Sequence, residues 1–377
     1  MREFLGELFS HDRGGVDKGL LLGVVSLAFI GDLMIYSATR TPLINAGYDP
    51  LYYLKRQTLW VVIGLGLMAL VAQIDFRRFE IIATPAYIST GVAVIGVIFF
   101  GSSSLGAQRW YNLGILQIQP SEFAVIAVIL AAAAYSARRP EGLTNRDVIR
   151  MLTMAALPMG IIAVQPDLGT AIIISVVVCV IVVVAGMPPR MLATVAVFGA
   201  VLATMSVYLG YLKPYQVARL TSFLNQHSND QNMAALIYHV ANAKHAIGAG
   251  GIFGMGIFKG LQTTLGYVPE QRTDFIFTAI GEQLGLVGTL AVVAVMGLVG
   301  FRLFQISRYC SNQFGKLVVA GVFAFYCFSS FQNIGMTMGI MPVTGIPLPF
   351  ISYGGTAAIV FSIAAGMALS VSRRRGN

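Results

Sequence analysis

Ten apolar runs divide the chain, near 19–37, 58–73, 81–100, 119–137, 149–164, 168–187, 191–210, 275–300, 315–338 and 352–371. Each approaches the ~20 residues an α-helix needs to cross a bilayer, and polar or turn-forming residues separate them. The pattern predicts an all-α integral membrane protein of about ten transmembrane helices. Between the seventh and eighth runs lies one long polar interval, 211–274, the only sizeable stretch outside the bilayer. A single polytopic domain over 1–377 is therefore expected, with 1–18 as a tail. Acidic and basic residues precede the first run (Glu7, Asp12, Asp17) and no small-residue cleavage site follows it, so it is expected to stay as a helix.

Composition and charge refine this picture. The chain is 56% hydrophobic and 11% charged, with a mean hydropathy of +0.75, outside the range of soluble domains. An even number of spans places both termini on one side. With the termini inside, the inner segments hold 16 of the 25 Lys and Arg residues and the outer segments 9. That bias predicts cytoplasmic termini and an extracytoplasmic 211–274 loop in a multi-pass protein of the cytoplasmic membrane. The net charge of +9 is explained by the membrane, so no nucleic acid partner is expected. Cys179, Cys310 and Cys327 fall in spans or a loop and suggest neither a disulfide framework nor a metal site.

Acids at membrane depth are costly and mark candidate sites. Those in or beside spans on the outer half are Asp32, Glu122, Asp167, Asp274 and Glu282. In "SLGAQRWYNLGILQIQPSEFA" (104–124), Pro120, Ser121 and Glu122 suit a helix start, with Trp110 and Tyr111 as interface anchors, or Glu122 belongs to a site. In "QPDLGTA" (165–171), Pro166 and Asp167 begin the sixth span, with Asp167 as its cap or as a site residue. "HAIGAGGIFGMGIFKG" (245–260) is neither a Walker loop nor a dinucleotide fingerprint; it is a re-entrant loop or a run of amides able to approach an anion. His227, His239 and His245 share this outer segment without a metal-site spacing. "GIMPVTGIPLPFISYGG" (339–355) is too rich in Pro and Gly for helix, and such backbone at membrane depth is expected to line a cavity. In "VPEQRTDFIFTAIGEQLG" (268–285), Asp274 caps the eighth span or serves in chemistry, and Glu282 is expected to be a hydrogen-bonded packing acid flanked by Gly281 and Gly285 at the spacing of close helix contact.

These segments, together with "LKRQ" (54–57), resemble the SEDS family of shape, elongation, division and sporulation proteins from about Asp17 to Arg373. "VTGIPLPFISYGGT" is more similar to the rod-shape branch than to the division branch, which stays as an alternative. The resemblance implies a peptidoglycan glycosyltransferase that polymerises lipid II at the outer face of the membrane during cell elongation, beside a class B penicillin-binding protein that crosslinks. It implies that Asp274, the Asp of the family's "TDFIF" motif, is the catalytic residue, and family-typical polar positions fall on Arg109, Glu122, Asp167 and Arg219; these four and Lys244 are expected to bind substrate. A divalent cation, Mg or Mn, is admitted, with ligands that the sequence does not identify, and no organic cofactor. The chain departs from the family at Val125, where Lys is usual, at Asn242, Ala243 and Ala249 in the glycine segment, and at Asp32, where Gly is common. A lipid II flippase is the rival from another class, yet the chain shows no internal repeat of broken spans such as transporters carry.

Overall fold

The computed structural model describes residues 15–374 except 105–106, 113, 115–116, 140, 166, 211–213 and 227–230. Most of the predicted tail, Pro166 and His227 therefore lie outside the described residues. Ten long helices follow the ten apolar runs: α1 (Lys18–Asn45), α2 (Tyr52–Gln73), α3 (Phe76–Phe100), α4 (Pro120–Ala137), α5 (Asn145–Val164), α6 (Leu168–Val184), α7 (Pro189–Tyr208), α11 (Ile276–Arg308), α12 (Gln313–Thr337) and α13 (Gly355–Arg374). Eight of them are long and apolar enough to cross a membrane, and α6 is a shorter apolar helix of 17 residues.

The segment between α7 and α11 carries three further helices among the described residues, α8 (Pro214–Thr221), α9 (Gln231–Ala249) and α10 (Leu261–Thr264). It has a small apolar core of its own, in which Val240, Ala243 and Ala246 meet Val268, Phe275 and Val343. Between α3 and α4 a three-stranded antiparallel sheet, β1 (Ser102–Ser104), β2 (Ala107–Asn112) and β3 (Gln117–Ile118), adds a β element that the helical pattern did not announce. The Tyr111 hydroxyl pins this sheet to α3 by donating to the Ala93 carbonyl at 3.0 Å, over Gly96.

Burial sorts the helices into an inner and an outer set. The apolar stretches of α4, α12 and α13 are 78%, 67% and 83% buried, against 22% and 17% for α2 and α3. On α3, Ile81, Phe99 and Phe100 are 77%, 72% and 83% exposed, a surface that only lipid makes favourable. Close approach of helices is paid for with glycine: Gly64 of α2 abuts Ser362 and the Ala358 carbonyl of α13, and Gly366 of α13 abuts Met68 and Val71. At the end that holds both termini, a buried ion pair joins α1 to α11. Asp17 caps α1 through Leu20 N at 2.9 Å and accepts from Arg302 Nε at 2.9 Å and Nη2 at 2.6 Å.

α11 is not one straight helix. Gly285 adopts φ 64°, ψ −167°, and the ladder breaks there. The glycine segment fills the gap: Met255 N and Gly256 N donate to the Glu282 and Gln283 carbonyls at 3.0 Å each, while Leu286 N and Val287 N donate to the Gly251 and Ile252 carbonyls at 2.9 and 3.1 Å. Backbone freed by the break is thus satisfied by a second piece of irregular backbone, as burial at membrane depth requires. The segment's Gly254, Met255 and Gly256 amides are committed to carbonyls rather than offered to an anion. Gly285 does not extend the helix-contact stripe begun at Gly281; it forms the break itself.

Candidate active site

A cavity of about 270 Å³ opens at the end opposite the termini. Its floor is apolar, formed by Val125 of α4, Ile173 of α6, Phe325 of α12 and Phe361 of α13. Residues 344–347 of the Pro- and Gly-rich segment form one wall, as expected of irregular backbone inside a membrane protein. Arg109 and Trp110 of β2, Arg219 of α8, and Glu270, Thr273 and Asp274 also line it.

Asp274 lies in the turn ahead of α11. The helix cap is Phe275, with no side-chain cap bond, so Asp274 does not do the capping that its position allowed. Its backbone is fixed instead: its amide donates to the Glu270 carbonyl at 3.1 Å, and its carbonyl accepts from Asn333 Nδ2 at 2.9 Å. Asn333 also donates to the Ile346 carbonyl at 2.8 Å, which ties the Asp274 turn to the cavity wall. Gly345 at φ +74° lies against the carboxylate; a Cβ there would come within 3.1 Å of Asp274 Oδ2. Burial and the neighbouring Glu270 carboxylate push Asp274 up to about 6, with Arg219, Thr273 and Arg109 pulling the other way. A carboxylate in that range is suited to take a proton near neutral pH.

The other sequence candidates divide. Arg109 and Arg219 reach the cavity, and Arg109 Nε has no hydrogen-bond partner. Glu122, in the first turn of α4, lines the cavity with Oε2 unpartnered; Val125, standing where the family carries Lys, gives it no base. Asp167 fills two roles. It caps α6 through Thr170 N at 3.3 Å and accepts from Gln119 Nε2, Ser121 Oγ and Thr170 Oγ1 at 2.8, 2.9 and 2.9 Å, while still lining the cavity. Lys244 is not brought to the cavity: it is exposed on α9 and donates to Gln226 Oε1 at 2.6 Å. Its helix turns that face away to pack Ala243 and Ala246 inward. Arg272 also points elsewhere, over the Tyr53 ring at 4.6 Å. Glu282 is the buried structural acid expected, accepting from Gln262 N at 2.6 Å and Thr263 N at 3.0 Å at the start of α10. Asp32 accepts from Thr58 Oγ1 at 2.9 Å, away from the cavity lining.

Glu270, Ser329 and Thr344 line the cavity and had not been singled out. The charge density of "PEQRTD" could have pointed to Glu270; a lone Ser in the apolar run of α12 carries no such signal. Among the described residues no group of three or more His, Cys, Asp or Glu is placed to hold a metal ion.

The family model of the FtsW, RodA and SpoVE cell cycle proteins matches residues 18–377. The chain is 34% identical to the peptidoglycan glycosyltransferase MrdB of Escherichia coli K12, covering 97% of this chain and 95% of that one. It is 31% identical to the peptidoglycan glycosyltransferase RodA of Treponema pallidum, covering 95% and 98%. A solved chain from a peptidoglycan synthase complex that coordinates polymerization and crosslinking superposes with a TM-score of 0.80 at 29% identity, covering 96% and 98%. The helical chain with its recessed aspartate belongs to the FtsW, RodA and SpoVE family of cell cycle proteins, the SEDS family.

Proposed function

We infer that this multi-pass membrane protein is a peptidoglycan glycosyltransferase that polymerises lipid II into glycan strands at the outer face of the cytoplasmic membrane. The observation that carries the chemistry is Asp274: a recessed carboxylate, excused from helix capping, held near neutral pH as a base and sharing its cavity with two arginines. The relatives' activity supports the substrate class. A membrane-anchored sugar pyrophosphate suits a cavity that opens at one end of a helical bundle.

In the reaction, Asp274 takes the proton of an acceptor sugar hydroxyl. The oxygen attacks the anomeric carbon of the donor, the glycosidic C–O bond forms, and the bond from that carbon to the pyrophosphate oxygen breaks. The polyprenyl pyrophosphate leaves as an anion and needs no proton, so one base suffices where a glycoside hydrolase needs two carboxyl groups. Arg109 and Arg219 stabilise the charge that develops on the leaving group. General base catalysis contributes roughly 10²–10⁴ in rate, and fixed cations contribute the remainder along with positioning.

A class B penicillin-binding protein as crosslinking partner is supported by the synthase complex in which the solved relative works. A role in cell elongation is supported by the relative named RodA. A flippase needs a path that opens to both sides in turn. The apolar floor of Val125, Ile173, Phe325 and Phe361, the last two stacked at 4.4 Å, offers a sugar pyrophosphate nothing below the cavity. Purified protein incubated with lipid II, alone and with its crosslinking partner, is expected to yield glycan polymer in at least one condition. Lipid II carried across vesicle bilayers without any polymer would favour the flippase instead.

A further inference from the structure

Among the described residues, four buried polar atoms without a hydrogen-bond partner line this one cavity: Arg109 Nε, Glu122 Oε2, Ser329 Oγ and Thr344 Oγ1. A buried polar group left unpaired costs about 1–3 kcal/mol, so such a cluster calls for an occupant. Arg109 is accounted for by the leaving group. The other three come from three elements: α4, α12 and the Pro- and Gly-rich segment.

Ser329 is fully buried, and Thr344 is only 8% exposed. A serine in a helix can satisfy itself on the carbonyl one turn back, as neighbouring Ser330 does on Tyr326 O at 2.8 Å. Ser329 does not. Thr344 stands between two landmarks: its carbonyl lies 3.1 Å from where a Cβ on Gly169 would be, at the start of α6, and the next residue, Gly345, abuts Asp274 Oδ2. Beside that helix start, Asp167 already takes the donors of Gln119, Ser121 and Thr170, which leaves none of them for Glu122. What remains is one carboxyl oxygen without a partner and two hydroxyls that can give or accept.

This set selects the chemistry of its occupant. None of the three groups carries a positive charge with which to hold a phosphate, and they are too poor in acids to hold a metal by themselves. A neutral ring bearing hydroxyl and acetamido groups offers what is missing: O–H and N–H donors for the carboxylate, and a carbonyl acceptor for the hydroxyls. We propose that Glu122, Ser329 and Thr344 form the subsite for the acceptor sugar, the ring whose hydroxyl Asp274 deprotonates, with Ser329 and Thr344 reading its acetamido group. The proposal rests on Asp274 being the base, because Thr344 and Gly345 place the subsite beside that carboxylate.

The test compares lipid II with an analogue that lacks the acetyl group on the sugar remote from the pyrophosphate. The wild type is expected to use the analogue with kcat/KM lower by about tenfold to a hundredfold, the worth of one or two unmade hydrogen bonds. The Ser329→Ala, Thr344→Val double variant is expected to use lipid II at that lowered level and to stop distinguishing the two substrates. Ser329→Ala alone and Thr344→Ser, which keeps the hydroxyl, are expected to fall between the double variant and the wild type. Variants that keep wild-type rate and discrimination, or that slow both substrates equally, overturn the subsite while leaving the glycosyltransferase intact. A wild type that makes no glycan from lipid II overturns the function and the subsite together.

Discussion

At the residue scale, function concentrates in the few side chains whose local structural duties are discharged by others. Phe275 takes the cap position of α11, Asn333 holds the Asp274 carbonyl, and the Asp274 carboxylate is left to face the cavity. Because burial and Glu270 raise Asp274 to about 6, the base is protonated and idle below that pH and becomes competent as pH rises through it. The kcat/KM profile is expected to show an ascending limb near pH 6. Glu270→Gln removes a like charge and should move that limb to lower pH; a limb that stays put would assign it to another group. Gly345 gives a second prediction. Alanine there would need φ near +74° and would crowd Asp274 Oδ2, so Gly345→Ala is expected to lower kcat at least tenfold while the protein still purifies as a folded species. An unchanged kcat would show that the carboxylate has room to spare.

At the element scale, the paired break in α11 and the 250–256 segment is the feature that shapes the active end. It turns the helix start, with Glu282 and the Asp274 turn, away from a straight course and holds it by four backbone hydrogen bonds. Gly254 sits where φ is +80° and a Cβ would lie 2.2 Å from the Gln283 carbonyl oxygen. Gly254→Ala is therefore expected to destabilise the protein by about 1–3 kcal/mol, read as a lowered thermal midpoint in detergent. A midpoint equal to wild type would mean that the two segments are not locked together. This junction was not legible in the sequence, where 275–300 reads as one uninterrupted apolar run. Glycine inside such a run is common in membrane helices, and only the approach of a distant segment turns Gly285 into a break. The ten helices were legible because bilayer thickness fixes the length of each apolar run, although α1 extends to Asn45 and α11 to Arg308 beyond the runs themselves. The sheet at 102–118 escaped because its strands are short and bounded by no clear alternation.

At the scale of the whole molecule, polar groups gather at opposite ends for different purposes. One end is stapled shut by Asp17 and Arg302 and by Arg374, whose Nη2 donates to the Gln73 carbonyl at 2.6 Å. The other end is open and carries the cavity, lined there by α8 and the sheet. The excess of Lys and Arg at the stapled end predicts that this end faces the cytoplasm. In a background with Cys179, Cys310 and Cys327 replaced, a cysteine at His245 is expected to react with a membrane-impermeant thiol reagent on intact cells, and one at Glu141 is not. The reverse pattern would turn the molecule over and remove the cavity from the outer face. Sequence patterning revealed the acids and arginines that converge here, because charge stands out against an apolar background. It could not show that Lys244 faces away or that Ser329 and Thr344 face in, since those outcomes depend on helix rotation and on the path of the 339–354 segment.

If Asp274 is the base of a glycan polymerase, replacing its carboxylate with an amide removes the catalytic group and little else. Asp274→Asn preserves size and leaves the helix cap at Phe275 untouched, so folding and association with the crosslinking partner are expected to persist. Glycan polymerisation from lipid II by the purified variant is expected to fall by about 10²–10⁴ relative to wild type. A folded variant that polymerises at near the wild-type rate would contradict the account and move the search for the base to Glu270, Asp167 and Glu122.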